Sequence, residues 1–472
     1  MRTRPSIIAT VTLSLAAVTS AWAQTEIVLH SFNGGTDGAY PASGLVQKGS
    51  DLYGTTGQGG IYGCGTVFRL RHGAQGWTET LLYTFTCQAD GVIPSGSIAF
   101  DKAGNLYGTT GNGGSNFKGN IYQLSPTSGG TYVETVLYSF TGGSDGTFPF
   151  GGVTVDKAGN LYGTTFEGGS MSSCAGAGCG VVFGLRPDSH GGWTEVVLHA
   201  FTGADGAGSE APIAIGAAGN LYGTTSVGGS GAGCVGSLAN GCGVVFELAS
   251  SNGTWTETVL HDFRTHSNNS DGIYPNAVVL HGGDLYGTTY TDGSKGNGTV
   301  FKLMRSQAWK ERVLHRFAGN PDGSTPVGGV TFDKVGNLYG TTQHGGRNSC
   351  TQGCGLVFKL TYSAQNWTEK VLHRFTGSKD GANPISGLTL DDVGNIYGVA
   401  SDGGSGGKGV AFKLVPQFPG AICDGKGWNV ASNQVNSYSV QRRKSSAPLV
   451  PPKPNELDMA YSTSAFLGWL GT

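Results

Sequence analysis

Once in every repeat, in the loop leading to its first strand, a carboxylate stands immediately before a glycine: Asp37, Asp90, Asp145, Asp205, Asp271, Asp322 and Asp380. Gathered around one opening, such a series could bind cations or sugars. An aspartate in this position also braces a turn against its own backbone while the glycine supplies the left-handed residue, and seven equivalent copies favour the turn. A second series, His30, Tyr83, Tyr138, His199, His261, His315 and His373, contains five imidazoles. Ligands of one ion must converge, and histidines distributed one per repeat are expected to sit far apart. Neither a shared metal nor a cofactor is therefore expected.

Residues that break the repetition are better candidates for chemistry: Glu167, Glu210, Tyr290, Asp292, His344, Arg347 and Asp402. All fall in loops expected on one face, and function usually resides in loops displayed by a rigid scaffold. Two carboxylates drawn from Glu167, Glu210 and Asp292 could hydrolyse a glycosidic bond if held at the required separation. No G-x-S-x-G nucleophile motif lies at a strand-to-helix elbow, and no dinucleotide fingerprint is present. The glycine-rich stretch "DKAGNLYGTTGNGGS" from Asp101 leads into another strand rather than a helix, so it lacks the helical amides that cradle phosphate.

Six of the nine cysteines form close pairs, Cys174 with Cys179, Cys234 with Cys242 and Cys350 with Cys354. Each precedes a "GVVF" or "GLVF" run, and local disulfides are the expected state in an oxidising compartment. Cys64 matches the second cysteine of a pair, and Cys87 is its expected partner; Cys423 is left over. Tryptophans Trp77, Trp193, Trp255, Trp309 and Trp367 begin equivalent strands, with Tyr132 in their place once, and are expected to pack at strand edges rather than stack on sugars.

The elements that must position these residues are all-β. Tyrosines of an "LYG" or "IYG" signature stand at Tyr53, Tyr107, Tyr162, Tyr222, Tyr286, Tyr339 and Tyr397, a period of roughly 53 to 64 residues. One unit reads as four strands: "GGVTVD" (Gly151 to Asp156), "LYGTT" (Leu161 to Thr165), "GVVFGL" (Gly180 to Leu185) and "WTEVVLHAF" (Trp193 to Phe201). The "AGN" between the first two is hairpin chemistry. Seven such units predict a seven-bladed β-propeller of four-stranded antiparallel blades. "TEIVLHSF" (Thr25 to Phe32) is a fourth strand without its first three, and the last unit ends at Leu414 without a fourth, so the N-terminal strand is expected to close the last blade.

The ends and the composition bound the setting. Residues 1–23 begin with Arg2 and Arg4, continue through a short apolar run and finish Ala21-Trp22-Ala23, the pattern of a cleaved signal peptide. Residues 24–414 form the expected propeller, and residues 415–472, with "SSAPLVPPKP", read as a Pro/Ser-rich disordered tail. Charged residues make up only 13% and the net charge is -2, which argues against nucleic-acid binding. No later segment is long and apolar enough to span a membrane.

The recurring "LYGTT..GG", "GTVFKL", "W.ETVLY.F" and "D..GN" motifs resemble the tandem repeat of the choice-of-anchor GloVer-containing proteins, over Thr25 to Leu414. That resemblance implies an exported bacterial protein with a propeller-like repeat region and implies no activity. The resulting expectation is an exported, monomeric binding scaffold, periplasmic, extracellular or on the cell surface, without catalysis. Its expected partner is a glycan or a cell-surface protein. A propeller glycoside hydrolase or lyase and a structural envelope protein are the alternatives.

Overall fold

The computed structural model describes residues 24–231, 234, 236, 238–264, 271–291 and 295–416, together with two short strands, Ala421–Cys423 and Trp428–Val430. The expected signal peptide and most of the expected tail lie outside these residues. Contacts divide the chain into one unit ending at Gln417 and a second beginning at Phe418, in which the two short strands pair antiparallel.

The first unit is a seven-bladed propeller of antiparallel sheets. Blade 3 shows the pattern, with strands Val153–Val155, Leu161–Thr164, Val181–Pro187 and Trp193–Ala200 running from the centre outward. Blades 1 and 2 precede it, with outer strands Gly76–Thr84 and Tyr132–Ser139. Blades 4, 5 and 6 follow, with outer strands Thr254–Asp262, Lys310–Arg316 and Asn366–Arg374. In blade 7 the outer strand is Thr25–Ser31, which pairs with Val410–Val415 from Thr25 opposite Val415 to Ser31 opposite Val410. Ring closure by the N-terminus is thus a full strand pairing that covers the edge of Val410–Val415.

The "LYGTT" strands are buried along their whole length because each blade is sandwiched between two others. The apolar core is correspondingly divided among the junctions. Tyr107 and Ile121 of blade 2 pack with Leu161 and Phe183 of blade 3, and Phe32 and Tyr397 of blade 7 pack with Leu45 and Phe68 of blade 1. Each junction repeats one edge-on aromatic contact, such as Phe140 to Phe183 at 5.2 Å and Phe32 to Phe68 at 5.2 Å. The tryptophans also pack across junctions, Trp193 lying 5.9 Å from Tyr107 and Trp255 6.3 Å from Tyr162.

In blade 3 both threonine hydroxyls of "LYGTT" are engaged by backbone. Thr164 donates to the Ala211 carbonyl of the next blade, and Thr165 to the Glu167 carbonyl. At the "D..GN" hairpin, Asp101 accepts from the Gly104 and Asn105 amides, the Asn105 side chain and the Tyr107 hydroxyl. Blade 4 has Gly216 where that aspartate would be, and Glu247 takes over the bonds to Asn220 and Tyr222. The motif that looks most like a ligand loop is a hairpin lock.

Candidate functional site: the channel mouth and the blade junctions

The Asp-Gly loops run from each outer strand to the innermost strand of the next blade. Asp145 accepts from the Thr141 amide at 2.7 Å, the Thr141 hydroxyl at 2.6 Å and the Tyr138 hydroxyl at 3.0 Å. Asp205 does the same with Thr202 and His199 Nε2, while Asp322 accepts from the Ala318 amide and lies 3.4 Å from His315 Nε2. The glycine that follows has a positive φ throughout, 98° at Gly146 and 129° at Gly206. These aspartates brace turns; Tyr83, Tyr138 and His199 hydrogen-bond to the aspartate of their own loop, and the other four histidines place Nε2 3.3 to 3.4 Å from it.

Two residues past that glycine, the chain turns onto the preceding blade. Tyr40, Ile93, Phe148, Gly208, Tyr274, Thr325 and Asn383 all have φ between 54° and 66°, a conformation that costs a side-chain-bearing residue energy. The conformation recurs because each amide donates to a carbonyl of the loop on the preceding blade, that of Lys408, Cys64, Lys118, Cys179, Cys242, Asn297 and Cys354 respectively. Four of these clasp residues are disulfide-bonded, in the pairs Cys64–Cys87, Cys174–Cys179, Cys234–Cys242 and Cys350–Cys354. At two of the others a lysine covers the clasp: Lys408 donates to the Tyr40 hydroxyl at 2.9 Å, and Lys118 lies over the Phe148 ring. The staples therefore secure the points where one blade grips the next.

The clasp directs seven equivalent residues to the mouth of the central channel: Ala42, Ser95, Phe150, Glu210, Asn276, Val327 and Ile385. They line a cavity of about 430 Å³, and no two are of the same type. Ser226, from the loop after the second strand of blade 4, also lines it, as does Tyr290, which was expected in a loop but lies in the second strand of blade 5, Asp284–Thr291, because that strand runs on past its "LYGTT". Aromatic rings cluster on one side, where Phe150 stacks on Phe148 at 5.9 Å and meets Phe166 at 6.2 Å. Glu210 is open to the lumen but crowded by protein, and this desolvation raises its carboxyl above the ordinary range.

The cavity brings together two of the seven singled-out residues, Glu210 and Tyr290. Glu167, His344 and Asp402 occupy equivalent positions on blades 3, 6 and 7, where their backbones bridge Thr147, Ser324 and Ala382. Burial lowers the His344 imidazole from its usual range, and Asp402 accepts from the Asn383 amide group at 2.8 Å. Arg347 is exposed, and Asp292 lies outside the described residues.

A third series escaped the sequence reading. Glu26, Glu79, Glu134, Glu195, Glu257, Glu311 and Glu369 stand four residues before the histidine or tyrosine of each outer strand, which in an unbroken strand would put both on one face. Each outer strand carries a bulge between them, shown by the register shift that skips Leu198 in blade 3 and Leu82 in blade 1. An extra residue reverses the alternation, so the glutamate meets the Asp of the preceding blade while the histidine faces the following one. Glu79 is raised to about 7 by burial and by Asp37, and Glu195 to about 7 by burial and by Asp145. Glu311 reaches about 8 by burial and Asp271, against the opposing field of Arg316.

Among known proteins, several solved structures are similar to this chain at low identity. A Lactobacillus plantarum protein is 13% identical with a TM-score of 0.47, covering 73% of this chain and 86% of its own. A Mycobacterium tuberculosis puromycin-hydrolyzing peptidase is 11% identical with a TM-score of 0.45, covering 78% of this chain and 51% of its own. A luciferin-regenerating enzyme is 13% identical with a TM-score of 0.39, covering 83% and 95%. No curated protein matches the sequence. The profile of the Gloeobacter/Verrucomicrobia repeat matches residues 15–176 and 170–412.

Proposed function

The chain belongs to the Gloeobacter/Verrucomicrobia repeat family, and from that premise we propose that it is an exported, non-catalytic binding propeller that takes a carbohydrate at the channel mouth. The observation that carries this reading is the mouth ring itself. On a scaffold that repeats "LYGTT" nearly unchanged, the seven residues facing the cavity are all different, which is where selection for one ligand would act. Their chemistry suits a sugar. Phe150 and Tyr290 offer flat apolar faces, and Glu210 and the Asn276 side-chain carbonyl offer acidic and neutral hydrogen-bonding groups. Among the described lining residues Glu210 is the one carboxylate, so the paired acids of glycoside hydrolysis lack a second member there. Export is supported by eight of the nine cysteines being disulfide-bonded.

Titration of the full chain with a panel of bacterial and plant oligosaccharides, while released reducing sugar is followed, tests the proposal. Saturable binding without release is expected, weakened about tenfold or more by Phe150→Ala or Tyr290→Ala. Binding that neither substitution alters would move the site elsewhere, and release of reducing sugar would make the protein an enzyme.

A further inference from the structure

We propose that the junction of blades 3 and 4 is a binding site for a divalent metal ion of the zinc type, held by His199 and Asp205 of one blade and Glu257 of the next. Ligand atoms from these three residues all lie within 4.8 Å of one another, and His199 Nε2 stands 3.0 Å from Asp205 Oδ2. Atoms that share an ion at about 2 Å sit roughly 3 to 4 Å apart, so a small rotation of the Glu257 side chain completes the set.

Three further observations point the same way. Glu257 Oε1 is shielded from solvent and meets no hydrogen-bond partner, as is true of Oε1 in each of the six equivalent glutamates, and Glu257 differs from them in lying within ligand distance of a histidine and an aspartate together. The Thr202 amide and hydroxyl, at 2.8 and 2.9 Å, hold Asp205 Oδ1 and so aim Oδ2 at the imidazole, the arrangement by which an outer group orients a ligand. The surrounding charge also singles out this junction among the five that carry a histidine. Glu257 has His199 and Asp205 as its electrostatic neighbours. At the others Arg316 faces Glu311, Arg374 faces Glu369 and Arg347 faces His373, each a built-in cation. Between blades 7 and 1, Asn33 already occupies Asp37 Oδ2 through its amide and its side chain.

One imidazole nitrogen and two carboxylate oxygens suit zinc or manganese, whereas calcium takes six to eight oxygens. The ligands come from two blades, so the ion would join the outer strands of a junction that the Cys174–Cys179 staple secures at its loop.

Equilibrium dialysis of the metal-stripped full chain against zinc, with Cys423 alkylated to remove thiolate competition, decides the matter. One zinc per chain is expected in the wild type. Glu257→Gln and His199→Gln should each weaken uptake by about tenfold or more, while Glu79→Gln, the equivalent change at the junction of blades 7 and 1, leaves it unchanged. Thermal melts without metal establish that each variant is folded. Absence of stoichiometric uptake overturns the proposal, and so does uptake that folded Glu257→Gln and His199→Gln retain, since surface histidines would then be responsible.

Discussion

Glu79, Glu134 and Glu195 each sit in a blade junction with a carboxyl raised to about 7, by burial first and then by the aspartate of the preceding blade. A carboxyl whose folded value exceeds its unfolded one, near 4.5, favours the folded state while both forms are protonated. That contribution is complete below about pH 4.5 and is lost as pH rises through about 7. Asp90 works in the opposite sense: burial pushes it up, but hydrogen bonds from Thr86, Tyr83 and Gln88 outweigh this and hold it low, so its contribution is lost on acidification. The thermal midpoint is therefore expected to peak near about pH 5 and decline toward pH 8. The triple variant Glu79→Gln, Glu134→Gln, Glu195→Gln should flatten the alkaline decline, and an unchanged slope would mean that these carboxyls ionise freely. Gly163 poses a steric question at the same scale, because a Cβ there would lie 2.5 Å from the Phe183 ring and 2.7 Å from the Gly152 carbonyl. Gly163→Ala is expected to destabilise by roughly 1 to 3 kcal/mol, read from the denaturant midpoint.

The strands and hairpins were legible in the sequence because each local signal recurs with the period of the fold. "LYGTT" marks a strand buried on both faces, and the Gly-Asn pairs mark tight turns. The bulge was not legible. Glu195 and His199 lie in a run that alternates like any half-buried strand, and the extra residue at Leu198 leaves no mark in composition. Glu210 and Tyr290 could be found because they interrupt a repeat, whereas Phe150 passed as one apolar residue among many until the clasp placed it at the mouth. The staples also differ among themselves as elements. Cys64–Cys87 closes a separation of 23 residues and Cys350–Cys354 only 4. Loop-closure entropy assigns roughly 3 kcal/mol to the first and roughly 2 to the second. Replacing Cys64 and Cys87 together by alanine should lower the unfolding free energy more than replacing Cys350 and Cys354, and the reverse order would show that local strain dominates.

For the molecule as a whole, stability depends on a strand that comes from the far end of the chain. Removing residues 24–32 takes away Leu29 and Phe32, which belong to the core between blades 7 and 1, and leaves Val410–Val415 unpaired. Such a truncation is expected to lose its sharp unfolding transition, and a synthetic peptide of residues 24–32 should restore it in trans. Wild-type cooperativity in the truncated chain would show that the ring tolerates an open seam.

The bulge gives every blade two unlike sides, one presenting a glutamate and the other a histidine or tyrosine with its aspartate. Each blade is thus a directional unit with a head that fits the tail of its neighbour, and the same rule of joining operates seven times around the circle. Joining of this heterologous kind has no internal signal to stop; it ends only where the last tail finds the first head. The N-terminal strand supplies that ending. A chain deprived of it keeps the three inner strands of blade 7 but loses Glu26 and His30 and leaves Val410–Val415 with an open edge, at which pairing with other copies of itself is expected.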